Sequence, residues 1–304
     1  MNMIMLPVIA AFCYAISAFI DNYLIDTQVK KLHVKCMTPI YIVLELLACA
    51  VILLVSRGSV LAVTASDVLI FFGAAALNSV ASVPYYMALK KSETTEVSLL
   101  SQTAPIMSLV LAWALLGETI GASQLVAFFL IIGSAVFLIL RSGSKHMRIK
   151  LVAGGYILLT CALWVFSDIV FVLQARESAF MTSFFWLLLG GVAANMVQMA
   201  VMKNWRQDFK KFFARNRTRK VAIITVNEVI WGIAEASWRF GVVMLPVAIV
   251  SVVGNVSQLI ITFVLGLILS SVFPRFGREK LTKKVVVNHA LATVAIGVAL
   301  VILG

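Results

Sequence analysis

The chain has 304 residues, of which 62% are hydrophobic and 12% are charged, and its formal net charge is +12 at pH 7. A chain this apolar is neither a soluble globular domain nor a disordered segment. Its cations lie in short segments between apolar stretches, which argues against a nucleic-acid partner, although a basic protein surface can bind one. The composition therefore indicates an integral membrane protein.

Apolar stretches recur along the whole chain, and most reach the roughly 20 residues that a helix needs to cross the hydrocarbon core. They lie at 3–20, 38–55, 68–89, 97–116, 122–140, 151–173, 180–202, 221–243, 246–270 and 285–303. Lipid offers the backbone no hydrogen-bond partners, and these stretches lack the alternation of barrel strands. We therefore expect an all-α integral membrane protein with ten transmembrane helices.

The cations are sorted between the gaps that separate these stretches. Of the 25 Lys and Arg residues, 22 lie in alternate gaps, at 21–37, 90–96, 141–150, 203–220 and 271–284. The positive-inside rule assigns these gaps to the cytoplasm and both termini to the opposite side. We expect a multi-pass protein of the cell membrane, either an inner or a plasma membrane.

The chain divides into two sets of five stretches, at 1–140 and 151–304, joined by a basic cytoplasmic linker at 141–150. Because five is odd, two such sets must lie in opposite orientations, which predicts an inverted repeat. Weak internal similarity supports the division. Asp21 and Asp168, for example, occupy corresponding places at an offset of 147 residues.

A set of short motifs follows the third stretch. Its end reads Tyr-x-x-Ala-Leu, and a Pro-bearing fourth stretch, a Gly-Glu pair and a Gly-bearing fifth stretch come next. The positions are Tyr85, Tyr86, Ala88, Leu89, Pro105, Gly117, Glu118 and Gly133. This order resembles the EamA-type module of the drug/metabolite transporter superfamily.

The resemblance implies a ten-helix transporter of small organic solutes with a central cavity between its halves. Familiar members of the superfamily have both termini in the cytoplasm, whereas the charge pattern here places them outside. The resemblance and the charges together leave the direction of transport, import or export, open.

The eighth stretch carries the most charge. Glu228, Trp231, Glu235 and Arg239 follow at steps of three, four and four, which places them along one helix face. A charge at a helix centre costs roughly 2.5–3.5 kcal/mol, so each requires a partner or a wet cavity. Glu235 and Arg239 can pair with each other. They form either a structural ion pair or a functional site, in which the remaining acid would suit a proton.

Three other stretches, the third, fourth and ninth, carry neutral polar residues at helical spacing. These residues are Asn78, Ser82, Tyr85 or Tyr86, Ser98, Gln102, Pro105, Ser251, Asn255, Gln258 and Thr262. Stripes on four helices suggest a shared wet interior. The alternative is that Ser, Asn and Gln bridge helices in a dry bundle.

Isolated acids lie on other stretches. Glu45 is in the middle of the second and Asp168 in the outer third of the sixth, and either can be a cavity acid or half of a structural pair. Asp21 follows the predicted end of the first stretch, where interfacial solvation suffices. Trp164, Trp231 and Trp238 form either a stacking wall or ordinary packing. The candidate substrate-binding residues are Glu45, Asn78, Tyr85, Gln102, Asp168, Glu228, Trp231, Glu235, Arg239, Asn255 and Gln258.

The chain carries no motif of hydrolysis or redox chemistry. The sequence lacks GxxxxGK[ST], GxSxG and HExxH, and its three histidines are too dispersed for a metal site. We expect no enzyme activity, no cofactor and no metal. Aromatic residues at helical spacing among the cations of 203–220 predict either a helix lying flat on the anionic leaflet or a disordered basic loop.

The leading hypothesis is a secondary transporter that works by alternating access, with a proton as the candidate coupling ion. Acids outnumber bases in the stretches, which favours zwitterionic or cationic metabolites or drugs. Arg239 would be available to a substrate carboxylate or phosphate, and Glu228 and Glu235 to an ammonium group or a proton. The alternatives are a non-transporting scaffold or accessory subunit, with its stripes consumed in helix–helix hydrogen bonds, and a transporter of a lipid-linked substrate. Expected partners are the solute, membrane lipid and protons.

Overall fold

The structure is a computed structural model that describes 3–25, 34–92, 94–118, 147–201, 205–214 and 217–272, with scattered residues within 121–133 and 287–298. The fifth and tenth predicted stretches and the linker at 141–146 therefore lie largely outside the described residues. Every regular element among the described residues is helical, which confirms the all-α prediction.

The helices follow the predicted stretches closely. They are α1 (Met5–Leu24), α2 (Thr38–Val55), α3 (Ala65–Leu89), α4 (Thr94–Leu100), α5 (Ala104–Leu116), α6 (Met147–Ala175), α7 (Phe180–Val201), α8 (Trp205–Phe213), α9 (Arg217–Met244) and α10 (Val247–Val272). Within the described part of the chain, seven are long and apolar enough to cross a membrane, namely α1, α2, α3, α6, α7, α9 and α10.

The fourth predicted stretch, 97–116, is not one continuous α-helix. A 3-10 turn at Ser101–Thr103 separates α4 from α5. Pro105 has no N–H to donate to the carbonyl of Ser101 four residues earlier, which weakens the helix at this point. That carbonyl accepts instead from the N–H of Ala104, three residues later, and from the thiol of Cys161 on α6 at 3.8 Å. The break thus lies in the interior, where the turn itself and a neighbouring helix both donate to the carbonyl.

Two helix ends are fixed by local chemistry. Thr64 begins α3 with a capping box, in which its hydroxyl accepts from the N–H of Asp67 and the Asp67 carboxylate accepts from the N–H of Thr64. Gly117 ends α5 with a φ of 67°, a left-handed conformation that glycine adopts at little cost. Both features lie at the ends of helices that border the interior.

Helices that precede the linker pack mainly on helices that follow it. α1 packs on α9 and α10, α2 on α7, α3 on α6 and α7, and α5 on α6 and α10. The closest approach is at Gly190, where an added Cβ would lie 2.9 Å from the Cα of Phe72. The two parts therefore enclose one interior between them.

The basic segment after α7 contains the short amphipathic helix α8. Phe212 of α8 is buried against Leu24, Cys36 and Ile224, near the ends of α1, α2 and α9. Burial raises the pKa of the Cys36 thiol to about 12. The interpretation of 205–213 as a disordered loop is therefore wrong, because its aromatic face packs on the protein.

Candidate functional site

A cavity of about 210 Å³ lies between the helices, with lining side chains on α1 to α7, α9 and α10. Most of the predicted site residues contribute to this lining. They are Glu45, Asn78, Tyr85, Asp168, Glu228, Trp231, Glu235, Arg239, Asn255 and Gln258. The stripes predicted on separate helices therefore meet around one space.

Gln102 is the predicted residue that the lining does not include. Its side chain is 1% exposed. Its amide donates to the carbonyl oxygens of Ser98 at 3.1 Å and of Asn255 at 2.9 Å. Gln102 lies in the 3-10 turn between α4 and α5, and it joins that turn to α10. The local break in the helix turns this amide away from the stripe that continuous helical spacing predicted.

Arg239 is the centre of a buried charged network. Its Nε donates to Glu235 Oε1 at 2.8 Å, and its Nη1 lies 2.7 Å from Asp168 Oδ1. Its Nη2 donates to the Ser167 hydroxyl at 2.8 Å. The guanidinium also lies over the ring of Phe171, 5.2 Å from the ring centre. Two carboxylates thus balance one cation that is only 2% exposed.

The acids of this network have further donors. The Tyr14 hydroxyl donates to Glu235 Oε2 at 2.7 Å, and the Asn78 amide to Glu235 Oε1 at 3.2 Å. The Trp238 indole N–H donates to Asp168 Oδ2 at 2.9 Å. The network therefore joins α1, α3, α6 and α9, and its two carboxylates balance the charge of Arg239. Arg239 Nη1 pairs with Asp168 but makes no hydrogen bond among the described residues. The expectation that Arg239 is available to a substrate anion stays a prediction.

Asp21 also lines the cavity, which the sequence interpretation missed. The predicted stretch ended at 20, but α1 continues to Leu24, so Asp21 still lies on the inner face of a helix. It is 5% exposed, not solvated at an interface. Its Oδ1 accepts from the amide of Asn227 on α9 at 2.8 Å. Asn227 was overlooked beside Glu228, although a polar amide within an apolar stretch is itself a sign of an interior contact.

Glu45 faces a chain of amides and hydroxyls on α3 and α7. Asn195 donates from Nδ2 to Glu45 Oε2 at 3.4 Å and accepts at Oδ1 from the Ser79 hydroxyl at 2.7 Å. Gln198 donates to the same hydroxyl at 3.0 Å. Gly191 leaves room beside the carboxylate, since an added Cβ would lie 3.4 Å from Glu45 Oε1. Asn195 is a further lining residue that the sequence interpretation omitted.

Aromatic rings complete the walls. They belong to Tyr14, Tyr41, Tyr85, Tyr86, Trp164, Trp231 and Trp238. The rings of Tyr85 and Trp164 lie 5.5 Å apart, and those of Tyr14 and Trp238 meet edge to face at 6.3 Å. All three tryptophans considered as a stacking wall therefore border the cavity, and Trp164 and Trp238 are also packed against other rings.

The charge of the lining is strongly unequal. Its carboxylates are Asp21, Glu45, Asp168, Glu228 and Glu235, and its cation is Arg239. Low-dielectric walls focus the field of such a group of charges, so the cavity attracts cations. Within the described residues, no group of three or more His, Cys, Asp or Glu side chains could hold a metal ion.

A second ion pair lies away from the cavity. Glu118 of the Gly-Glu motif lies 3.1 Å from Arg176 and accepts from the N–H of Val247, at the start of α10, also at 3.1 Å. Arg176 donates to the carbonyls of Val242 and Leu245 at 3.3 Å and 3.2 Å. The motif therefore joins the end of α5 to the corner between α9 and α10.

Comparisons with known proteins agree with this architecture. Residues 1–140 match the model of the EamA-like transporter family, which confirms the resemblance to the drug/metabolite transporter superfamily. None of the curated proteins compared with the chain matches it. A solved structure titled "Crystal structure of protein" is similar over 96% of both chains, with a TM-score of 0.61 and 14% identity. That similarity shows the fold alone.

Proposed function

We propose that this chain, whose first 140 residues belong to the EamA-like transporter family, is a secondary active transporter of a small organic solute. The solute is a zwitterionic or cationic metabolite or drug. Transport proceeds by alternating access, in which the parts before and after the linker rock around the central cavity. Both termini lie on the side of the cell membrane opposite the cytoplasm, as the distribution of cations indicates.

The observation that carries this proposal is the charged cavity between helices of both parts. Charged side chains inside a membrane protein are expensive and mark a substrate or ion pathway unless they are consumed in structural pairs. Arg239, Asp168 and Glu235 are paired with one another. Asp21 lines the same space, and the partner of its carboxylate is the neutral amide of Asn227. Glu45 and Glu228 add two further carboxylates to the lining.

The helix contacts support two inverted repeats of five helices, 1–140 and 151–304. An exchange of α1 with α6, α2 with α7, α3 with α9 and α5 with α10 reproduces the main contacts. The α1–α9 contact becomes α3–α6, and α1–α10 becomes α5–α6. The α2–α7 and α5–α10 contacts map onto themselves. A pseudo-two-fold axis through the cavity accounts for this pattern.

The substrate class follows from charge and rings. A multiply charged anion would meet five carboxylates and one already balanced arginine, whereas a cation meets attraction throughout. Aromatic faces add cation–π attraction for an amine or a guanidine. A zwitterion fits only where its anionic end reaches solvent or a donor such as Gln258.

A proton is the coupling ion that the acids of the lining suit. A carboxylate in a low-dielectric cavity favours neutralisation, either by a proton or by a bound cation. If the proton and the cationic solute bind alternately at Glu45 or Glu228, inward movement of the proton would be linked to outward movement of the solute, or the reverse. No ATPase motif is present in the sequence, so we propose that a gradient drives the transport.

Reconstituted proteoliposomes test the proposal. Amines, amino acids, nucleosides and sugars are offered with and without a pH gradient, and we expect saturable uptake of an amine or zwitterion that the gradient accelerates. Glu177→Gln, which removes an exposed carboxylate outside the cavity, is the matched control and keeps wild-type uptake. If no solute is taken up in either direction, the transporter proposal is wrong.

A dry scaffold is the competing hypothesis, and the amide contacts of Gln102 and Asn255 are the kind that it requires. Gln258, half-buried in the lining, distinguishes the two. In a background without the native cysteines, we expect Gln258→Cys to react with a small hydrophilic thiol reagent. Absence of labelling would favour the scaffold.

A further inference from the structure

Asn227 presents a buried acceptor without a partner. The side chain is 3% exposed and lines the cavity. Its Nδ2 donates to Asp21, which sets the orientation of the amide because a carboxylate oxygen can only accept. Its Oδ1 has no hydrogen-bond partner among the described residues. Buried polar atoms are nearly always paired, so this oxygen implies a donor that occupies the cavity.

Asp21 provides a charge beside that acceptor. None of the ion pairs formed between described residues involves Asp21, and its hydrogen-bond partner is the neutral amide of Asn227. The carboxylate is 5% exposed, so solvent does little to screen it. A negative group and an orphaned acceptor thus lie side by side. A ligand group that donates hydrogen bonds can pair with both, and one that also carries positive charge balances the carboxylate.

Three tyrosines line the same cavity as the pair, namely Tyr41, Tyr85 and Tyr86, and so does a second carboxylate, that of Glu228. Aromatic faces and carboxylates both attract an ammonium group.

We propose that Asp21 and Asn227 form the subsite for the ammonium group of the transported solute. The inference rests on the proposed transport function and assigns one end of the same cavity. Both groups accept hydrogen bonds and one of them is anionic, so a primary or secondary ammonium group, which combines positive charge with at least two N–H donors, fits the pair best. A quaternary ammonium group carries the same charge but has no N–H to donate.

The subsite lies apart from the Arg239 network. Tyr14, which bonds to Glu235, and Asp21 are seven residues apart on α1, which corresponds to about 10 Å along the helix axis. The body of the solute then extends from Asp21 toward the rings of Trp164 and Trp231. We therefore expect an amine with an apolar or aromatic body.

Equilibrium binding to the purified full-length protein in detergent tests the assignment. The probes are 2-phenylethylamine, its N,N,N-trimethyl derivative, 2-phenylethanol and phenylacetate, measured by isothermal titration calorimetry. We expect the primary amine to bind at least tenfold more tightly than each of the others. Asp21→Asn should lower the affinity for the primary amine at least tenfold, and Asp21→Glu should restore part of that affinity. Glu177→Gln should bind the amine as tightly as the wild type.

Each other outcome decides against a specific statement. Equal affinity of wild type and Asp21→Asn for the amine overturns the subsite and leaves the transporter proposal intact, as does preference for the quaternary ion. Transport of a neutral or anionic solute by a protein that does not bind the amine would also overturn the subsite and leave the transporter proposal intact. Failure of every solute to bind or to be transported contradicts the proposed function, and the subsite falls with it.

A second measurement covers the case in which Asp21→Asn is not recovered as a monodisperse protein. Ser17 lines the cavity one helical turn before Asp21. In a background without the native cysteines, saturating 2-phenylethylamine should protect Ser17→Cys from a small thiol reagent, whereas 2-phenylethanol should not. Equal labelling with and without the amine overturns the subsite.

Discussion

Asp21 and Asp168 occupy corresponding places in the two parts of the chain, and both are buried against the same cavity at 5% exposure. Their partners differ. Asp168 lies 2.7 Å from the Arg239 guanidinium and accepts from the Trp238 indole, whereas Asp21 accepts from the neutral amide of Asn227. Because Arg239 balances the charge of Asp168, that carboxylate belongs to the framework of the protein. Asp21 has no such cation among the described residues, so its carboxylate is left for a ligand.

Removal of Arg239 should give the largest effect on stability. Arg239→Ala leaves Asp168 and Glu235 buried side by side without a cation, and loss of one partner of a buried pair costs about 3–5 kcal/mol. We expect a large fall in the detergent unfolding temperature or failure to recover the protein. Asn227→Ala is the matched change at Asp21, and an equal fall there would contradict the comparison.

The helical framework was predictable because apolar length and cation placement determine it. The fourth stretch was the exception, since hydropathy does not register a 3-10 turn. Pro105 and the polar run at Ser101–Thr103 were the available signs of the break. The contact of the Cys161 thiol with the Ser101 carbonyl comes from a distant helix, and a single sequence does not show it.

The site was predictable only where contacts are local. Glu235 and Arg239 lie four residues apart, so their pairing followed from helical spacing. Asp168 joins them from another helix, and no periodicity connects it with Arg239. Asp21 was placed at the membrane interface because the predicted stretch stopped one residue before it. Such pairings depend on how helices pack, which a single sequence does not display.

Asp168→Asn and Asp21→Asn should separate the two aspartates by stability. Asp168→Asn removes one of two anions from Arg239, and a hydrogen bond to a charged group contributes about 1.5–3 kcal/mol. Asp21→Asn keeps a carbonyl acceptor for Asn227, so we expect a change below about 1 kcal/mol. Thermal unfolding of both variants in the same detergent measures the difference. Equal losses would show that both acids are structural.

The position of Trp238 offers a way to disturb Asp168 without changing any charge. An added Cβ at Gly254 on α10 would collide with the Trp238 ring, whose N–H donates to Asp168. Overpacking of this kind costs about 1–3 kcal/mol, so Gly254→Ala should unfold at a lower temperature. Gly232→Ala on α9 is the control, because an added Cβ there meets nothing within 4 Å. Identical unfolding of the two variants would contradict the packing.

The ion pair between Arg176 and Glu118 tests whether burial makes the Arg239 pairs important. Both are arginine–carboxylate pairs, but the Arg176 pair is open to solvent. The Arg176 side chain is 36% exposed, and exposed pairs contribute about 0–1 kcal/mol. Arg176→Gln should therefore lower the unfolding free energy by less than about 1 kcal/mol, and 0.5 M salt should reduce the difference further because it screens exposed charges. Salt should leave the effect of Arg239→Ala almost unchanged. A loss at Arg176 as large as that at Arg239 would mean that burial does not decide which acids belong to the framework, and Asp21 would then need a different explanation.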